Sequence, residues 1–255
     1  MSEKVPSKLT VQPFKTKQGE HIAITGQTGS GKSMLARALL ASRSYLLILR
    51  TKPDEVQYAT DRTVRSETSA LQAMSDQRVG RLEVVPAYEE QSQVLEAVLD
   101  KAYKQGGWTV FVDEGFELRR LGLVKQHEKL LTQGRSKGIS VVTGVQRPSY
   151  VSRFTFSESR HILSFHHEGR DVKVMKDAFG ENHANAVLGL DDKQHQFAWS
   201  YGSDTWVGRL QDLAGRRGGP NPGGDVGDAG NGGAESDGSP GLRPNHGDAR
   251  RGGRE

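Results

Sequence analysis

Short apolar runs alternate with stretches of helical spacing along the chain. His21-Ile22-Ala23-Ile24-Thr25 reads as a strand, and residues 34–40, built of strong helix formers, read as a helix. Residues 45–49 are a continuous apolar run stopped by Thr51-Lys52-Pro53-Asp54, and residues 81–86 form another. Runs apolar on both faces suit the buried strands of a parallel sheet. The stretch between them is polar. Val94, Leu95, Val98, Leu99 and Ala102 recur at helical spacing within 89–104, a helix that Gly106-Gly107 stops. A strand then runs from Trp108 and closes on Asp113-Glu114. A helix follows over 118–133, interrupted only by Gly122 and ended by Gly134. Strands over 139–146 and 161–165, a short helix over 172–179 and a terminal hairpin turning at Gly202-Ser203-Asp204 complete the pattern. Strands alternating with helices predict an α/β three-layer domain on a mainly parallel central sheet with a terminal β-hairpin. In such a domain ligands bind beyond the carboxyl ends of the strands.

The chemistry concentrates at those ends. Gly26-Gln27-Thr28-Gly29-Ser30-Gly31-Lys32-Ser33 fits the G-x-x-x-x-G-K-[ST] phosphate loop, between the first strand and the helix that opens with Met34. A polyphosphate needs many converging N–H donors, and a glycine-rich turn lets the backbone approach it closely. The helix beginning there aims its positive dipole end at the anion. Lys32 is placed to neutralise the β- and γ-phosphates and Ser33 to hold Mg²⁺.

Asp113-Glu114, two acids at the tip of a buried strand behind a phosphate loop, have an evident partner in Mg²⁺. Asp113 suits the metal's water shell, and Glu114 suits accepting the proton of an attacking water or positioning it. A third segment, 134–149, takes a helix end at Arg135 through Gly138 into an apolar strand closed by Gln146-Arg147-Pro148-Ser149. A glutamine at a strand tip can hydrogen-bond a γ-phosphate or the water.

Together GQTGSGKS, TVFVDE and GRSKGISVVTGVQRPS, in this order and spacing, resemble the FtsK/HerA superfamily of DNA-pumping ATPases, over residues 14–149 by motif and to about 210 by pattern. The resemblance implies a RecA-like P-loop NTPase of the additional-strand catalytic-glutamate class, binding ATP and Mg²⁺. It implies a homo-oligomeric ring, typically a hexamer, acting on DNA, most often double-stranded. Gln146 matches the family's sensor. Arg135 matches the arginine finger that enters a neighbouring subunit's site, where a planar guanidinium binds two phosphoryl oxygens at once. Arg147 competes with it for that role. Lys52, Arg119 and Arg120, after strands, are candidates for a pore lining. The small genome-packaging ATPases of some viruses, or a mobile-element motor, fit best; capsid, portal or other machinery proteins are then expected to supply the address.

Composition refines the picture. The chain has 255 residues, 34% of them hydrophobic, with a formal net charge of +4 and no cysteine, which excludes disulfides and thiolate zinc sites. An anionic partner is permitted by that charge but not required. Residues 1–13 read as an N-terminal arm, 14–213 as the ATPase domain, and 214–255, rich in Gly, Pro, Asp and Arg, as a disordered tail. No run is long and apolar enough to span a bilayer, so membrane insertion is not expected and the cytoplasm, or the virion of a viral chain, is. His161, His166, His167 and Glu168 lack the spacing of a metal site. Two alternatives stand beside the motor: an ATP-regulated adaptor or loader that does not move along DNA, and a small-molecule kinase.

Overall fold

A computed structural model describes residues 16–52 and 57–214. The expected arm over 1–13 and the tail beyond 214 lie outside the described residues.

Nine strands form one sheet: β1 (His21–Thr25), β2 (Leu46–Leu49), β3 (Arg62–Val64), β4 (Arg81–Val84), β5 (Thr109–Val112), β6 (Ser140–Val145), β7 (Ser159–Ser164), β8 (Gln196–Tyr201) and β9 (Asp204–Arg209). Their order is β3-β4-β2-β5-β6-β1-β7-β8-β9. All neighbours from β3 to β7 run parallel, whereas β8 and β9 are antiparallel. β6 therefore lies between β1 and β5, the additional-strand arrangement that the family resemblance implies. The helices are α1 (Lys32–Leu40), α2 (Glu67–Ser75), α3 (Gln91–Gln105), α4 (Gly115–Arg120), α5 (Val124–Gln133), α6 (Phe154–Ser157), α7 (Arg170–Phe179), α8 (Glu181–Leu188) and α9 (Leu210–Ala214).

Alternation along the strands builds a core on each face. Leu46 and Ile48 of β2, Phe111 of β5 and Val142 of β6 pack with Leu35, Ala36, Leu39 and Leu40 of α1. Leu47, Leu49, Val110, Val112 and Val141 pack on the other face with Val94, Leu95, Val98, Leu99 and Ala102 of α3 and Leu130 and Leu131 of α5. Each fully buried aliphatic side chain of this kind contributes roughly 1.5–3 kcal/mol of transfer free energy.

The structure departs from or adds to the sequence pattern in three places. The polar stretch between β2 and β4 holds β3 and α2. Ser66 caps α2, its Oγ accepting from the Ser69 N–H. The single helix over 118–133 is two, because Gly122 sits at φ 74° and ends the i→i−4 ladder of α4. Beyond the short helix expected at 172–179, which extends from Arg170, a separate α8 follows Gly180.

Candidate nucleotide-binding site

The phosphate loop sits where β1 hands over to α1. Gly26 donates its N–H to Val145 O at 3.0 Å, tying the loop's first residue to the tip of β6. A Cβ on Gly26 would overlap Ser30 Oγ, and one on Gly31 would overlap Leu210 Cδ1. Gly31, the N-cap of α1, also has φ 106°, a region glycine enters without strain. Gln27, Thr28 and Gly29 are exposed, Met34 is 51% exposed, and Ser30, Gly31, Lys32 and Ser33 are half-buried. Lys32 Nζ donates to Gln27 O at 2.9 Å, so the ammonium lies over the loop. From the far end of the chain, His195 Nδ1 lies 3.1 Å from Ser30 O. His195 has φ 47° and faces solvent; nothing in its local sequence points to the loop.

The acidic pair leaves β5 beside it. Asp113 is half-buried, and its backbone carbonyl lies so close to Gly144 of β6 that a Cβ there would overlap it. Glu114 is 4% exposed and caps α4. Its Oε1 accepts the Phe116 N–H and the Gln146 N–H, each at 3.4 Å. Burial pushes the Glu114 carboxyl above its ordinary value, against the pull of those two N–H groups and the cations of Lys52 and Lys32. A carboxyl of this kind is suited to accepting a proton.

Gln146, half-buried, follows β6 directly. The segment beyond it is held by a residue that sequence patterning missed: Asp171 Oδ1 accepts the Ser149 N–H at 3.3 Å and the Ser149 hydroxyl at 3.0 Å, and Oδ2 lies 3.8 Å from Arg147. Arg147 is 65% exposed on this edge. Arg135 is exposed but precedes the amino end of β6, while Gly26 follows the carboxyl end of parallel β1. Six residues of strand separate these edges by about 20 Å, so Arg135 and the loop of its own chain are not brought together.

Of the pore candidates, Lys52 and Arg120 both pair with Glu117, at 3.1 and 2.5 Å, while Arg119 makes no ion pair among the described residues. His161 bonds Glu20 at 3.0 Å and His166 bonds Glu168 at 3.3 Å, whereas the buried His167 has neither ring nitrogen hydrogen-bonded among the described residues. No group of three or more metal-ligating side chains occurs among the described residues.

The donor set fits a polyphosphate with a hard cation. A loop in which a Cβ at Gly26 or Gly31 would meet close atoms opens a helix N-terminus, Lys32 supplies a cation, and Ser30 Oγ is buried without a hydrogen-bond partner among the described residues. Ser33 and Asp113 offer the oxygen ligands that Mg²⁺ prefers.

No family model matches the chain, and no curated protein matches it in sequence. Its fold does have solved likenesses. The genome-packaging NTPase B204 of Sulfolobus turreted icosahedral virus 2, in complex with AMP, superposes with a TM-score of 0.58 at 14% identity, over 74% of this chain and 96% of that one. The ATP-γ-S complex of B204 gives 0.58 at 14% identity, over 75% and 98%. The pCW3 conjugation coupling protein TcpA, in its monomer form with ATPγS, gives 0.52 at 18% identity, over 75% of this chain and 60% of that one. This chain shares the P-loop NTPase fold of these structures, with β6 between β1 and β5. No described helix is long and apolar enough to cross a membrane.

Proposed function

We propose that this protein is an ATP-hydrolysing oligomeric motor that translocates or packages double-stranded DNA. One observation carries the reading: the tips of three adjacent parallel strands, β1, β6 and β5, hold a phosphate loop, a glutamine and an Asp-Glu pair, with Glu114 bonded to the backbone of Gln146. The likeness in fold to a packaging NTPase and a conjugation coupling protein supports DNA as the object moved.

In this reading the loop N–H groups and Lys32 bind the phosphates of ATP, and Ser33 and Asp113 hold Mg²⁺. When bound, Mg²⁺ neutralises charge on the transferring phosphoryl. Glu114, kept basic by burial, takes the proton of the attacking water. Gln146 reads the γ-phosphate, and because its own N–H holds Glu114, loss of that phosphate is felt at the carboxylate. Arg135, at the opposite edge of the sheet, completes the site of the next subunit in a ring, in which Arg147 stays with its own site. Capsid or portal proteins would give such a motor its address.

Turnover of ATP with and without long duplex DNA, measured beside the oligomeric mass in ATP, tests the reading. Several-fold stimulation of an assembled ring is expected. A monomer indifferent to DNA would leave the adaptor or the kinase.

A further inference from the structure

Beside the catalytic edge, two large aromatic side chains stay exposed and touch each other. Phe116 is 41% exposed and Tyr150 47%, with ring centroids 5.9 Å apart. Phe116 lies in the first turn of α4, two residues after Glu114; Tyr150 ends the turn four residues after Gln146, its N–H bonded to Arg147 O at 3.0 Å. Tyr150 also lines a cavity of about 210 Å³ between α4, α5 and residues 150–155, whose wall includes Arg119. Three exposed arginines lie on α4 or within three residues of Tyr150 in sequence. Arg119 makes no ion pair among the described residues, Arg153 rests over the Phe154 ring at 5.2 Å, and Arg147 meets Asp171 only at 3.8 Å. Glu128, whose carboxylate accepts the Ser152 hydroxyl, is the acid lining this cavity. By contrast Lys52 and Arg120 are both engaged with the one carboxylate of Glu117.

Resting on the motor reading, we propose that Arg119, Arg147 and Arg153 around the Phe116–Tyr150 pair form the contact for the phosphodiester backbone of duplex DNA, and that the ring pair reports its arrival to Glu114. Exposed arginines interleaved with aromatics complement a phosphate backbone. The report has a short path. The two N–H groups that hold Glu114 Oε1 belong to Phe116 itself and to Gln146, the start of the segment that ends in Tyr150. Pressure on the two rings displaces both donors together. DNA then changes the hold on the candidate base without touching the nucleotide.

Binding of a long fluorescent duplex across a salt series, with ATPase rates in the same samples, tests this on the full chain. Arg119→Ala and Arg153→Ala each weaken duplex binding several-fold and reduce the slope of log affinity against log salt by about 0.9. Tyr150→Ala retains most DNA affinity yet brings the ratio of DNA-stimulated to DNA-free turnover close to one, and Tyr150→Phe keeps that ratio. Wild-type stimulation with unchanged affinity and salt slope in both arginine variants overturns this inference and leaves the motor reading standing. A change of oligomeric mass in these variants at unchanged DNA affinity assigns the patch to a subunit contact and likewise overturns it. If the wild-type ring neither binds duplex nor is stimulated by it, the motor reading itself fails.

Discussion

The backbone N–H of Gln146 lies 3.4 Å from the carboxylate of Glu114, so the tip of β6 holds the candidate base at the tip of β5. Parallel pairing of these strands, with Val112 opposite Thr143, brings the two residues together although 32 positions separate them in sequence.

That contact leads to a first prediction. Glu114→Gln should bind ATP as the wild type does and lose about 10²- to 10⁴-fold in turnover, the range of a lost general base. In the wild type the raised carboxyl pKa moves the acid limb of the rate profile upward: activity falls as pH drops through a midpoint above the ordinary 4.5. Steady-state rates from pH 4 upward, beside nucleotide binding, check both points. Undiminished turnover in Glu114→Gln would remove this residue from the chemistry.

A second prediction concerns Gly144. An added methyl would overlap the Asp113 carbonyl, a backbone atom that cannot yield cheaply. Gly144→Ala should destabilise the fold by roughly 1–3 kcal/mol and displace Asp113, lowering turnover more than nucleotide affinity. Denaturant titration beside Mg²⁺-dependent ATP hydrolysis reads the two effects separately. Wild-type behaviour in both would mean the strand tips are looser than described.

How much of this was legible in sequence depends on range. The loop from Gly26 to Ser33, α1 and the buried face of α3 follow from local spacing, and the structure buries Val94, Leu95, Val98, Leu99 and Ala102 as that spacing requires. β3 escaped because only Val64 of its residues is buried, and α2 because it buries just Ala70, Ala73 and Met74. Gly122 carried its signal, a helix breaker, but the helix-forming residues on either side outweighed it. The hold of Asp171 on Ser149 and of His195 on Ser30 had no local signature, since strand order alone brings these partners together across 22 and 165 positions.

A third prediction addresses the edge opposite the phosphate loop. With the sheet between Arg135 and its own loop, Arg135→Ala should leave ATP binding intact and abolish hydrolysis only in an assembled ring. Mixing it with Glu114→Gln subunits should restore part of the activity, because some interfaces then pair an intact arginine with an intact base. Titrating one variant against the other checks this. Failure of rescue at every ratio, with mixed rings present, would transfer the role to Arg147.

Stability should also respond to acid through four buried imidazoles. His21, His127, His167 and His183 are each pushed by burial from 6.5 to about 4. His127 meets Thr143 Oγ1 at 3.0 Å, and His183 lies between Ser164 Oγ and Ser200 Oγ. The unfolded chain therefore takes up protons first as pH falls. Stability from these groups is whole above about 6.5 and is lost progressively toward 4. Denaturant midpoints at pH 7 and pH 5 should differ clearly, with the lower value at pH 5; equal midpoints would contradict the burial of neutral histidines.

Displacement of a third strand from a DNA triplex tests the central claim most directly. The assembled wild-type protein should strip the third strand with ATP and Mg²⁺, but not with a non-hydrolysable analogue or in the Glu114→Gln variant. ATP hydrolysis stimulated by duplex DNA with the third strand left in place would contradict a translocating motor.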